Sequence, residues 1–163
     1  MLKSKVGFSI DVDSFKSGEE TAKIASHDMK NAKLGMLYTS VLSDVKEVVK
    51  GVKSVTNAPI IGCTSSGAIM VPEGVITSDH GFSGMMMLDD KDMTVGVACH
   101  EAGKDARAIG RKVAIEAVEN AKTTRAPAYF YMVASPKEEE DYLMGIQAVS
   151  YTHLRAHETL RHL

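Results

Sequence analysis

An apolar run, Leu34-Gly35-Met36-Leu37-Tyr38-Thr39-Ser40, stands between two segments of helical periodicity. Its length and composition are typical of a buried β-strand. The segment before it, residues 18–31, carries alanines at helical spacing, and the segment after it, residues 44–55, carries valines at helical spacing. A shorter strand pattern, Val6-Gly7-Phe8-Ser9, precedes both helices. The order β-α-β-α indicates a sheet with helices packed on it.

The same order returns about 90 residues later, which is too long a period for a solenoid repeat. Val95-Gly96-Val97-Ala98 corresponds to the opening strand, and Gly145-Ile146 corresponds to Gly51-Val52. The other elements of the second copy are a helix at 105–121, a strand at 128–135 and a helix at 138–148. We therefore expect an α/β or α+β fold, with a mixed sheet built from two related β-α-β-α units and helices packed on it. Two packed sub-domains are the alternative.

Local signals predict where the elements begin and end. Ser17 with Glu20 has the pattern of a capping box for the first helix, and Ser43-Asp44 precedes the second. Further strands are predicted at 58–64, 81–88 and 93–100, the last two joined as a hairpin by a turn at 89–92. The second copy stops where the first enters its strand at 58–64, so we expect it to be truncated at its C-terminal end.

Composition excludes several classes of protein. The 163 residues are 44% hydrophobic and 25% charged, as in an ordinary globular domain. The net charge of −2 offers no basic surface for nucleic acid, and no apolar run is long enough for membrane insertion. The two cysteines, Cys63 and Cys99, are too few for a disulfide scaffold and fit a reducing cytoplasm.

The most informative motif is Ile60-Ile61-Gly62-Cys63-Thr64-Ser65-Ser66-Gly67-Ala68-Ile69, an apolar strand that enters a loop of small residues. Such a loop lets backbone N–H groups and hydroxyls approach a ligand. The alternative is a tight turn packed under a neighbouring helix. The motif lacks the Gly-Lys-Ser/Thr of a phosphate loop and the glycine spacing of a dinucleotide fold. We expect a ligand to bind where strands end, at Ser9, Asp11, Ser40, Cys63, Thr64, Ser65, Ser66 and Gly67.

These pieces, in this order, resemble the N-terminal part of a FIST domain, found in intracellular signal-transduction proteins. The resemblance covers residues 5–148 and implies a cytoplasmic sensory module that binds small ligands such as amino acids. It also implies two partners, a C-terminal FIST part and a signalling output domain. Neither a cofactor nor a metal is expected, and neither nucleic acid nor membrane insertion is expected.

Two other functions remain open at this point. Cys63 is a candidate nucleophile for a hydrolase or transferase, with His80 the best-placed base among His27, His80 and His100. Cys99 and His100 are neighbours on a predicted strand and so point to opposite faces. A protein-interaction scaffold is the third hypothesis.

Residues 150–163 resemble a translated sequencing-library adapter. We therefore expect a FIST N-terminal domain, incomplete, at 1–149 and a non-native tail at 150–163. One alternative is a native C-terminal helix. Another is a metal site at His153 and His157, which are four residues apart but have no convincing further ligands.

Overall fold

The computed structural model describes residues 1–125, 127–134 and 137–158, and of residues 150–158 the backbone only. The chain forms two compact units, Met1–Met93 and Thr94–Leu163. The elements of the first unit are β1 (Lys3–Ser9), α1 (Ser14–Ser26), β2 (Ala32–Ser40), α2 (Val45–Val55), β3 (Ile60–Ser65), β4 (Ile69–Val71), β5 (Gly74–Ile76) and β6 (Ser83–Asp89). Those of the second are α3 (Ala106–Asn120) and α4 (Glu139–Glu158).

The first unit contains a four-stranded mixed sheet in the order β1-β6-β2-β3. β6 runs antiparallel to both β1 and β2, and β3 runs parallel to β2. The carboxyl ends of β1, β2 and β3 therefore lie along one edge, called here the carboxyl edge. This arrangement confirms the predicted α/β fold with a mixed sheet, and all of its strands come from the first unit.

Helices α1 and α2 cover one face of this sheet with a core of aliphatic side chains. Ala22 and Ala25 of α1 and Val48 and Val52 of α2 are fully buried against sheet residues. Those sheet residues are Leu37, Met85 and Met87. Methionine suits this role because its flexible side chain fills irregular gaps between branched neighbours.

Glycines bring the two helices of each pair into backbone contact. A Cβ atom at Gly18 would overlap the carbonyl oxygen of Val48, and one at Gly51 would overlap that of Phe15. In the second unit, Gly110 lies in the same way against Tyr142 of α4, and Gly145 lies against Arg107 of α3. The opening segments also match, because Gly7 lies against α1 and Gly96 against α3. The internal repeat is therefore present in the packing of the helices.

The first helix begins earlier than its predicted start at residue 18. Asp13 is its N-cap and accepts a hydrogen bond from the amide of Lys16 at 3.0 Å. Ser17 lies inside the helix, buried against the sheet, so the predicted capping box of Ser17 and Glu20 is wrong. The cap of α2 is confirmed, since the Asp44 carboxylate accepts from two amides of the first turn.

The strands predicted at 93–100 and 128–135 are not observed. Neither segment belongs to a sheet in the described part of the chain, although residue 135 itself falls outside it. The predicted hairpin between 81–88 and 93–100 is also wrong, because β6 pairs with β1 and β2 instead. An apolar pattern alone does not make a strand, which requires a hydrogen-bonded neighbour.

A short hairpin, β4–β5, was not predicted. Its first strand places Ile69 against Gly84, on the sheet face opposite the helices. The strands are joined at Pro72-Glu73, and Gly74 adopts a φ of +135°, which favours glycine. The hairpin continues directly from the predicted binding loop.

Helix α4 continues from Glu139 to Glu158, well past its predicted end at residue 148. Its first turn carries Glu139, Glu140 and Asp141, as expected for an acidic helix N-terminus. No helix among the described residues is both long and apolar enough to cross a membrane.

Candidate functional site

The predicted site residues lie at the carboxyl edge of the sheet. Ser9 ends β1, Ser40 ends β2 and Ser65 ends β3. Ser40 pairs in register with Ser65, so these two residues are brought together. Ser9 is separated from β2 by β6, because Ser83 pairs with Ser9 on one side and Thr39 on the other. The carboxyl ends of parallel strands are where open α/β sheets bind ligands.

At the β1 end of this edge, polar groups hold the loop that leads into α1. The buried Ser9 hydroxyl donates to the Glu20 carboxylate at 2.8 Å and accepts from the Asp11 amide at 3.2 Å. The Asp11 carboxylate in turn accepts from the amide of Asp13 at 2.8 Å. Ser9 and Asp11 therefore fix the shape of this loop.

At the β2–β3 end, two serines shape the adjoining loops. The Ser40 hydroxyl, which is buried, accepts from the amide of Leu42 at 3.1 Å. The Ser65 hydroxyl donates to the carbonyl of Ala68 at 3.0 Å. The amide of Val41 donates to the carbonyl of Ser65 at 3.0 Å, so the loop after β2 is tied to the end of β3.

The remaining predicted residues are open to solvent. Cys63, Thr64, Ser66 and Gly67 are exposed, and a Cβ atom at Gly67 would meet nothing within 4 Å. Within the described ranges, no hydrogen bond engages the side chain of Cys63, Thr64 or Ser66. The segment is therefore not packed under a helix, and the hydroxyls of Thr64 and Ser66 and the backbone at Gly67 remain accessible.

A buried hydroxyl cluster lies behind the edge and was missed from the sequence. Ser83 Oγ lies 2.8 Å from Ser17 Oγ and 2.7 Å from Thr21 Oγ1. Thr39 Oγ1 donates to the carbonyl of Phe82 at 2.9 Å. The available signal was the pair Ser17 and Thr21, two hydroxyl residues four apart on an otherwise apolar helix face.

An exposed apolar surface flanks the edge and was also missed. It is formed by the loops after β1 and β2 and by the first turns of α1 and α2. The Asp44 amide donates to Ser14 Oγ at 3.0 Å, which joins the starts of the two helices. The signal was aliphatic and aromatic side chains in loops, where polar residues are usual. We call this surface the apolar rim; it consists of Ile10, Val12, Phe15, Val41, Leu42 and Val45.

The structure does not bring Cys63 and His80 together. His80 Nε2 lies 2.9 Å from the carbonyl oxygen of Ile10, just beyond β1. β1 and β3 are at opposite edges of the sheet, three strand intervals apart, which corresponds to about 14 Å. In the second unit, His100 Nε2 contacts the Glu116 carboxylate at 2.7 Å. Both cysteines are free and exposed.

Two helix residues, Lys50 and Tyr142, have raised pKa values. The hydrogen bond and charge of Glu47 raise the pKa of Lys50. Burial, and then the charge of Glu138, raises the pKa of Tyr142. No group of three metal-ligating side chains occurs among the described residues.

Comparison with known proteins identifies the family. The FIST N domain matches residues 33–155, more than half of the chain, and the chain belongs to this family of signal-transduction sensor-type domains. The match includes the whole segment Ile60–Ile69, so the resemblance noted from the sequence is confirmed. No curated protein matches the chain.

One similar solved structure is the thiamine monophosphate kinase of Aquifex aeolicus. It is 14% identical, with the alignment covering 93% of this chain and 55% of the kinase. The chain therefore spans about half the length of that structure. The TM-score is 0.32, too low for the likeness to support an argument about fold or activity.

Proposed function

We propose that this chain is the ligand-binding module of a cytoplasmic signal-transduction protein. The observation that carries the proposal is the exposed segment at the end of β3. There, Thr64 and Ser66 present hydroxyls without partners among the described residues, beside the open backbone of Gly67. Groups of this kind bind the carboxylate or other polar end of a small metabolite.

The ligand is an amino acid or a related metabolite in this proposal, bound over the ends of β2 and β3. Val41 and Leu42, both more than half exposed, lie in the loop tied to Ser65 and offer apolar contact to the ligand side chain. Ser9 and Asp11 lie toward the far edge of the sheet, too distant for one small molecule to reach both ends. Their part is to hold the β1 loop, while Ser40 and Ser65 hold the loops around the ligand.

Signalling requires that the ligand prefer one of two conformations. In the proposal, binding orders the loops after β2 and β3, and a C-terminal FIST part and an output domain read that change. The free, exposed state of Cys63 and Cys99 supports a reducing compartment, because exposed thiols persist there.

The test is thermal unfolding of the chain with each standard amino acid in turn. At least one is expected to raise the unfolding temperature, as a ligand that binds only the folded state must. Ser66→Phe fills the open space beside Gly67 and is expected to abolish that rise. Ser4→Phe is the matched control, because Ser4 is also exposed but lies near the amino end of β1. This variant should retain the ligand-induced rise in unfolding temperature.

Two results would contradict the proposal in different ways. If no amino acid stabilises the chain, the ligand class is wrong. If one does and Ser66→Phe responds as the parent does, the site is wrong.

A second candidate function, a protein-interaction scaffold, is favoured by the apolar rim. Exposed apolar patches of this kind mark docking surfaces in many proteins. Leu42→Lys would weaken a scaffold contact strongly, whereas Ser66→Phe would leave it unchanged. Size-exclusion chromatography with a candidate partner separates the two functions.

A further inference from the structure

The β4–β5 hairpin has one half-buried face and one exposed face. Ile69 pairs in register with Ile76, and both side chains are half-buried. Met70 and Val75 form the next pair along the hairpin and are 86% and 63% exposed. Within the described residues, β4 and β5 pair only with each other. A two-stranded hairpin by itself is at best marginally stable in water, so this one depends on its contact with the rest of the first unit.

That contact is made where Ile69 enters a notch in the sheet at Gly84. Gly84 pairs with Phe8 of β1 and with Tyr38 of β2, so the glycine lies between two aromatic residues. Paired residues share one face of a sheet, and this is the face opposite the helices. A Cβ atom at Gly84 would overlap Ile69 Cδ1. The tip of Ile69 therefore occupies the space that a side chain at this position would take.

A short exposed segment joins this notch to the end of β3. The Ser65 hydroxyl donates to the carbonyl of Ala68 at 3.0 Å, directly before Ile69. The exposed groups at Ser66 and Gly67 are therefore held between two attachments, this hydrogen bond and the notch. When Ile69 leaves the notch, only the hydrogen bond remains. A binding segment that is fixed in advance loses less conformational freedom when a ligand binds.

We propose that the β4–β5 hairpin is a strap, that Ile69 latches it on the sheet, and that the latch sets the ligand affinity of Ser66 and Gly67. In the latched state the binding segment is fixed, and the ligand binds tightly. In the released state the hairpin leaves the sheet as a unit, and the ligand binds weakly. Linkage then requires the ligand to favour the latched state by the same factor. The coupling to ligand rests on the proposed function, whereas the latch itself does not.

Amide hydrogen exchange of the full chain without ligand tests the latch. Ile69→Ala removes most of the inserted side chain and is expected to speed exchange in residues 69–76 about tenfold. Exchange in β1, β2 and β6 should be unchanged, because the hairpin is released on its own. Met70→Ala is the matched control, since Met70 lies on the exposed face of the same strand. Unchanged hairpin exchange after Ile69→Ala, or equal acceleration in the control, overturns the latch.

A size exchange between Ile69 and Gly84 tests the notch from both sides. Gly84→Ala directs a methyl group at Ile69 Cδ1 and is expected to speed hairpin exchange about as much as Ile69→Ala does. Ile69→Val lacks this Cδ1 atom, and the remaining Cγ1 lies 3.7 Å from the added methyl, an ordinary contact. The double variant should therefore return to within about twofold of the parent rate. If the two changes add instead, Ile69 is not seated at Gly84 and the latch is overturned.

The coupling is tested with each amino acid that raises the unfolding temperature of the chain. At roughly 100 times its Kd, such a ligand should slow exchange in residues 69–76 at least tenfold. Ile69→Asp places an unpaired carboxylate at the notch, so the hairpin is released and binding should weaken by a similar factor. Met70→Asp adds the same charge on the exposed face and should bind as the parent does. Calorimetric titration measures the affinities.

The failure of the coupling and the failure of the proposed function give different results. If no amino acid stabilises the chain, both fail together, and exchange without ligand alone decides the latch. If one does, and Ile69→Asp binds it as tightly as the parent, the coupling is overturned and the proposed function is retained. Weaker binding by Ile69→Asp, but not by Met70→Asp, supports the coupling.

Discussion

The helix pairs α1–α2 and α3–α4 cross at equivalent glycines, yet within the residues that the structure describes only the first is covered by a hydrogen-bonded sheet. Gly18 and Gly51 in one pair, and Gly110 and Gly145 in the other, all place backbone against backbone. The repeated β-α-β-α sequence is therefore enough to specify a helix pair. The sheet of the first unit also contains β6, a central strand that lies outside the β-α-β-α segment.

The largest effect is expected from enlarging a crossing glycine in the first unit. Gly51→Val forces side-chain atoms into the Phe15 carbonyl and should lower the free energy of unfolding by about 3 kcal/mol or more. Urea unfolding of the full chain measures the change. Gly67→Ala is the matched control, since space is open there, and a loss above about 0.5 kcal/mol would contradict the packing described.

Enlarging a crossing glycine in the second unit tests whether the two helix pairs are independent of each other. Gly110→Ala places a Cβ atom against the Tyr142 backbone and should speed amide exchange throughout α3 and α4. Exchange in α1 and α2 should be unchanged, because those helices have their own core. Equal acceleration in all four helices would show that the two pairs do not fold as separate units.

A smaller effect is expected from the hydroxyl cluster that only the first unit has. Ser83→Ala leaves Ser17 and Thr21 without their shared partner and should cost about 1–2 kcal/mol of stability. Adding Thr21→Val should cost less than the sum of the two single changes, since the residues share one network. Chemical unfolding of the three variants gives the coupling, and strict additivity would contradict a shared network.

The smallest effect is expected at the matched caps Asp13 and Asp105. Each carboxylate accepts from an amide in the first helical turn, so Asp13→Ala and Asp105→Ala should each cost about 1 kcal/mol. Hydrogen exchange is expected to show each loss in its own helix pair. Asn substitutions retain a side-chain oxygen and should restore most of the stability.

The sequence was most informative where residue periodicity and chain order act together. The strands Lys3–Ser9, Ala32–Ser40 and Ile60–Ser65 and the helix capped by Asp44 lie close to their predicted positions. The start of α1 was misplaced because Ser17 has the chemistry of a cap but is used as a buried contact to Ser83. A serine hydroxyl can either cap a helix or make a buried contact, and only its partner in the folded protein shows which of the two it does.

The candidate site was predictable in position more than in detail. Ser9, Ser40 and Ser65 each end a strand, as their sequence pattern predicts, but β6 separates Ser9 from the other two, and this strand order was not predicted. Ser9 donates to Glu20, and Ser40 accepts from the amide of Leu42, so both hydroxyls are engaged within the protein. These contacts form only when the loops fold, so the sequence alone does not predict them. The segments at 93–100 and 128–135 were predicted as strands from their hydrophobic pattern. That pattern indicates a tendency to be buried, but it does not show whether a neighbouring strand is present to pair with.

The position of β6 also sets the order in which the first unit can assemble. Ser17 and Ser83 are 66 residues apart, and β6 supplies the central pairings of the sheet. During synthesis, α1 and α2 can associate as soon as both have emerged, while β1 and β2 must wait for the strand that joins them. Such distant pairing closes a long loop late and slows folding. A chaperone or the ribosome surface would therefore meet this chain as a helix pair with two unjoined strands.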